Sequence, residues 1–155
     1  MIGVVGGGSK TLKDEAILMC CRKIVAANHH RAFANEAPDI VIGHIGKEVI
    51  AKLKGCSPVV SSIVFRDPHC ETFSPTSGVL AIAEALRRFP EEQIYVAAMD
   101  LYLEREFDKD DKHIAHNRLN QALALNNLKK TFFQLIFCES LLIAIDEVIK
   151  RNGRQ

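Results

Sequence analysis

Six short apolar runs, IGVV, KIVAA, DIVI, VVSSIVF, QIYVAA and FFQLIF, recur along the chain with longer amphipathic stretches between them. Most are continuous in Val, Ile or Phe rather than alternating with polar residues, the pattern of strands buried on both faces. They predict strands over 2–5, 23–27, 39–42, 59–65, 93–98 and 132–137. The stretches between predict helices over 12–20, 30–35, 47–53, 77–88, 114–129 and 140–150, the second of them weakly. Ala81, Ile82, Ala85, Leu86 and Phe89 keep helical spacing, and Pro90 closes that helix. Strand and helix in alternation dictate an α/β fold: one doubly wound, mostly parallel, Rossmann-like sheet with helices on both faces.

The chain has 155 residues, 48% of them hydrophobic and 25% charged. A single domain over 1–155 of that length buries roughly 70% of its unfolded surface and needs no metal or disulfide to fold. A net charge of +1 with scattered basic residues offers no footprint for nucleic acid. Cys20, Cys21, Cys56, Cys70 and Cys138 are odd in number, with no CxxC pair and no zinc spacing. Three fall in apolar predicted elements, where free cysteine behaves as a small buried hydrophobe. The expected setting is reducing and cytoplasmic. No signal peptide is expected, and no apolar run approaches the length of a transmembrane segment.

In such a sheet, ligands collect at the carboxyl ends of the strands, near the point where strand order reverses. The segments that follow the predicted strands are Gly6–Thr11, Asn28–His30, Gly43–His44, Arg66–Gly78 and Met99–Tyr102. They hold four of the six histidines, while His113 and His116 open a later helix. The first segment is a glycine run, GGGSKT. A P-loop requires GxxxxGK[ST]; Gly3 and Gly8 have the separation, but Ser9 intrudes before Lys10-Thr11. The dinucleotide fingerprint GxGxxG begins with Gly6 and Gly8 but meets Thr11 where its third glycine belongs. The second strand runs into Asn28 rather than the acid that holds a ribose. Thr11 is also a helix cap.

Thr76 or Ser77 can cap the helix at 77–88, and the N–H groups there suit a phosphate or carboxylate. His113 and His116, three apart, could share a face and bind metal, yet no third ligand accompanies them. An acid–base role fits one of them better, because the ordinary imidazole pKa lies near neutrality. The charged run EREFDKDD reads as a solvated loop.

In order, these pieces resemble bacterial sialyltransferases of glycosyltransferase family 42 and the related MptE-like Rossmann proteins. The shared sequence is a strand into a glycine turn, a strand ending in Ala-Asn, Thr76-Ser77-Gly78 at a helix start, then Met99-Asp100-Leu101-Tyr102 and a histidine at a helix start. The resemblance runs from Ile2 to about Ile145. It implies a metal-independent glycosyltransferase-like protein without a resident cofactor, with a CMP-linked sugar as donor substrate and a hydroxyl of a glycan as acceptor. By the resemblance, the turn Gly6, Gly7 and Gly8 faces the nucleotide and Asn28 contacts it. Thr76, Ser77 and Gly78 hold the sugar carboxylate, Tyr102 bonds the leaving phosphate, and His116 is the general base.

The chain departs from that pattern at four places. Gly7 stands where the family has asparagine, Ser9 replaces a proline, and Ser74 replaces an arginine. Only Leu103–His113 remain of a much longer lid, which carries a second phosphate-binding tyrosine. The loss at Gly7 is expected to leave the turn's backbone N–H groups free. Another copy of the chain could supply the missing lid, which makes a homo-oligomer an expectation too. Two other readings stand beside this one: an NAD(P)-dependent or other nucleotide-binding enzyme using Gly6–Gly8, and a non-catalytic binding or assembly module of the same fold. The roles of His29, His30, His44 and His113 are open.

Overall fold

The computed structural model describes residues 1–27, 38–42, 77–99, 101 and 112–153, the side chains of 41, 77, 112–117 and 153 excepted. Among the described residues, nine elements follow in order: β1 (Ile2–Val5), α1 (Leu12–Met19), β2 (Lys23–Ala27), β3 (Ile40–Ile42), α2 (Ser77–Arg88), β4 (Ile94–Ala97), α3 (Lys112–Thr131), β5 (Leu135–Phe137) and α4 (Glu139–Gly153). The expected strand at 59–65 and helices at 30–35 and 47–53 lie outside the described residues.

Among the described residues all the strand pairs are parallel, and the order across the sheet is β3-β2-β1-β4-β5. The chain thus moves outward from β1 to β3, then returns to the other side of β1 and moves outward again. Right-handed crossovers in opposite directions place α1 on one face and α2 and α3 on the other. This is a Rossmann-like α/β sheet, with its order reversing between β1 and β4.

The register divides the strand residues between the two faces. Gly3 lies beside Ile24 on β2 and Tyr95 on β4, and Tyr95 beside Ile136 on β5. A Cβ on Gly3 would meet Ile24 Cδ1 at 2.7 Å and Leu18 Cδ2 at 2.8 Å. The missing side chain therefore lets α1 lie close on this face. Ile2, Val4, Val25, Ile94 and Val96 form the other face and are fully buried. Val79, Ala81, Ile82, Ala83 and Ala85 of α2 are buried in the same core. Each fully buried Val, Leu or Ile contributes about 1.5–3 kcal/mol, so these continuous apolar runs account for the core among the described residues.

Local chemistry sets the boundaries. The expected strand at 132–137 begins only at Leu135, because α3 runs on to Thr131 and Phe132 N–H still donates to Leu128 O at 2.9 Å. Leu135 N–H then donates to Phe132 O and closes a turn. Helical propagation thus overrides the strand preference of Phe132-Phe133. Asp39 aligns β3 with β2: its carboxylate accepts from Ile24 N–H at 2.8 Å and from Lys23 Nζ at 3.1 Å. At the amino rim, Arg22 pairs with Glu92 and lies 5.3 Å from the centre of the Phe89 ring. Of the described cysteines only Cys138 is buried; Cys21 is half-buried and Cys20, at the end of α1, is exposed. Among the described residues, no helix is long and apolar enough to cross a membrane.

Candidate functional site

The turn leaving β1 and the turn leaving β4 meet at the carboxyl rim, where the order of strands reverses. In a continuing strand, successive carbonyls point to opposite sides. At the end of β4 they do not. The Ala97 carbonyl faces β1 as the parallel ladder requires, but Ala98 takes a left-handed backbone (φ 57°) and its carbonyl turns toward the glycine run as well. Gly6 N–H donates to Ala97 O at 3.0 Å and Gly8 N–H to Ala98 O at 2.7 Å. The expectation of free N–H groups in this turn therefore fails at Gly6 and Gly8. Gly6 is also sterically obligatory: a Cβ there would overlap the Ala98 carbonyl oxygen and come within 2.6 Å of Met99 Cγ.

Leu101 is the second left-handed residue in this short stretch (φ 52°). For an L-residue other than Asn or Asp, that conformation costs roughly 1–2 kcal/mol. Backbone held at such cost clusters at ligand-binding and switching segments. The β4 turn is thus the part of the described structure where local preference is most clearly sacrificed, and it lies where a doubly wound sheet binds ligands.

The start of α1 is tied down by its own residues. Thr11 Oγ1 accepts from Asp14 N–H at 3.1 Å, while Asp14 Oδ2 accepts from Thr11 N–H at 2.8 Å, a reciprocal capping box. The other carboxylate oxygen, Oδ1, accepts from the Tyr95 hydroxyl at 2.6 Å. Asp14 is only 4% exposed, so this carboxylate braces the helix start against the middle of β4. Burial pushes the Asp14 carboxyl up, but the hydrogen bonds from Tyr95 and Thr11 outweigh it and hold the group below its ordinary value. Burial, then the adjacent carboxylate, push the Tyr95 hydroxyl far above the usual tyrosine range. Near neutrality the pair is therefore a carboxylate and a neutral phenol: a fixed charge–dipole brace. The sequence signal for it was the Thr11-x-x-Asp14 spacing and a lone tyrosine in an apolar strand, and sequence reasoning used neither.

A buried carboxylate in the first turn, with Glu15 beside it, opposes the positive end of the α1 dipole. Together with the engaged Gly6 and Gly8 donors, it makes the β1–α1 turn a poor phosphate cradle in this conformation. The start of α2 is the reverse. Its first turn, from Ser77 and Gly78, carries no acid, and its basic residues Arg87 and Arg88 lie in the last turn.

Of the residues singled out from sequence, the topology brings Gly6, Gly7 and Gly8, the backbone of Ser77, and Gly78 to the carboxyl rim. His116 lies in the first turns of α3, which also starts at that rim, as does His113. Asn28, Thr76 and Tyr102, like His29, His30 and His44, lie outside the described residues. Among the described residues, no group of three or more His, Cys, Asp or Glu is arranged to hold a metal ion. Comparison with protein-family models, with curated proteins and with solved structures gives no match to the chain.

Proposed function

We propose that the chain binds a nucleotide sugar, cytidine-linked, in the crevice between the β1 and β4 turns and transfers the sugar to a hydroxyl acceptor. The observation that carries this reading is the strained β4 turn, Ala98 and Leu101, placed where the strand order reverses and immediately before Tyr102. In this reading the sugar carboxylate sits at the start of α2, on Thr76, Ser77 and Gly78, where the helix has no acid of its own. Asn28 contacts the nucleotide and the glycine turn forms a wall of the crevice. The acceptor oxygen attacks the anomeric carbon, the bond from that carbon to the phosphate oxygen breaks, and CMP leaves with the electron pair. His116 takes the acceptor's proton, and Tyr102 donates a hydrogen bond to the departing phosphate. No metal is needed where neutral donors serve the phosphate.

Calorimetry with CMP and with CMP-sialic acid tests the proposal. Saturable binding of either is the expected result; no binding of either at millimolar concentration sinks it. His116→Ala should keep donor binding and lose turnover. A variant that keeps its cellular role instead favours a non-catalytic module, the reading to which the short segment Leu103–His113 points. A dinucleotide enzyme would show a thermal shift with NAD(P)H and none with CMP; Asp14 and Glu15 at the start of α1 stand against it.

A further inference from the structure

The clasp between the two turns carries a second inference, about how the site opens; its ligand arm rests on the nucleotide reading above. Three observations meet at one peptide group. Ala98 is left-handed, at a cost an alanine normally avoids. Its carbonyl accepts from Gly8 N–H at 2.7 Å, while the preceding carbonyl, of Ala97, accepts from Gly6 N–H at 3.0 Å. Gly6 has no side chain at the one place where any Cβ would push the Ala98 carbonyl away. The hydrogen bond at Gly6 continues the β1–β4 ladder, so the strain is spent on occupying the Gly8 donor, which in a sheet of this order faces the ligand crevice.

We propose that Ala98 is a latch. In the ligand-free protein it holds the glycine turn shut, and a ligand group that accepts a hydrogen bond takes Gly8 N–H by displacing the Ala98 carbonyl. Displacement lets Ala98 return to negative φ, so relief of backbone strain adds to the binding and the turn remakes the lost hydrogen bond to the ligand. The latch also explains why Gly8, beyond the last ladder hydrogen bond at Gly6, has its donor already engaged. A ligand that cannot accept from Gly8 leaves the latch closed.

Amide hydrogen exchange on the full chain, read by NMR, tests this with Ala98→Gly. Glycine adopts the left-handed region without the alanine penalty, so the variant favours the closed latch. Without ligand, protection of the Gly8 amide should rise roughly five-fold relative to the Val4 amide in the middle of β1. A change in global stability would move both amides together, so an unchanged ratio overturns the latch whatever the protein binds. With CMP as the probe at saturation, the Gly8–Ala98 hydrogen bond should be lost, and Ala98→Gly should bind CMP several-fold more weakly than wild type. Persistence of that hydrogen bond in the saturated protein, or equal or tighter binding by the variant, overturns the latch while leaving the nucleotide reading intact. If CMP does not bind the wild-type protein, the nucleotide reading falls and the ligand-free arm alone decides the latch.

Discussion

The helices α1 and α2 both start at the carboxyl rim, on opposite faces of the sheet, and they treat their positive ends in opposite ways. α1 places Asp14 and Glu15 in its first turn and has no basic residue in its last. α2 has no acid in its first turn and ends in Arg87 and Arg88, both paired with Glu84. The first helix satisfies its own dipole and joins it to β4 through Tyr95. The second carries compensating charge in its last turn and no acid in its first. A helix whose start is neutralised from within is a structural part, while one whose start lacks an internal acid has room for an external anion. On the proposed function, the difference puts support on one side of the crevice and recognition on the other.

Removing the internal acid of α1 is the strongest way to break this comparison. Asp14→Ala loses the capping box and leaves the buried Tyr95 hydroxyl without its acceptor, an expected loss of about 3 kcal/mol in urea unfolding. Tyr95→Phe, which leaves Asp14 its bond to Thr11, should cost about 1 kcal/mol, and the double variant less than the sum of the two. Next in size is Gly6→Ala, which drives a methyl group into the Ala98 carbonyl. It should cost about 2 kcal/mol, whereas Gly3→Ala meets only side-chain ends, those of Ile24 and Leu18. Equal losses for the two variants would mean that the clasp is no tighter than ordinary packing.

The comparison can also be sharpened by copying the α1 solution onto α2. Gly78→Asp puts a carboxylate in the first turn of α2 and should stabilise that helix slightly, by about 0.5 kcal/mol in the same unfolding experiment. The same change should weaken CMP-sialic acid binding roughly ten-fold or more, because a like charge then faces the sugar carboxylate, and should leave the binding of CMP itself nearly unchanged. Stability and affinity moving in opposite directions is the signature; unchanged affinity for CMP-sialic acid would put the anion elsewhere. The smallest expected effect lies in the pH dependence. Asp14 ionises at lower pH in the folded chain than in the unfolded one, so its contribution is complete above the ordinary carboxylate value of 3.8 and is lost as pH falls through the folded value. Stability curves of wild type and Asp14→Asn, measured from neutrality downward, should therefore converge below about pH 4. A constant gap would show that hydrogen-bond geometry, not ionisation, makes the brace.

The fold was legible because its strands are continuous apolar runs: β1, β2 and α2 begin and end where periodicity and Pro90 put them. The error at 132–137 arose where a helix already formed could be extended more cheaply than a strand begun. The site was less legible. Its composition of glycine, small polar residues and histidine pointed to the carboxyl rim, but which donors are already used is a property of backbone direction. Nothing in the letters VAAMD states that Ala98 turns left-handed and aims its carbonyl at Gly8. Asp14 escaped notice for a similar reason. Read alone it is an exposed helix acid; only the pairing of β1 with β4 brings Tyr95 over it.

The Asp14–Tyr95 brace gives the molecule an optical asymmetry. The chain has no tryptophan and two tyrosines, so its ultraviolet emission comes from Tyr95 and Tyr102 alone. A phenol bonded to a carboxylate is quenched, so folding dims Tyr95; Tyr102 is the residue to which the proposed function gives the leaving phosphate. Emission gained on adding urea would report the release of Tyr95, and emission altered by a nucleotide would report Tyr102. The same unlabelled sample can then follow unfolding and ligand binding as separate signals.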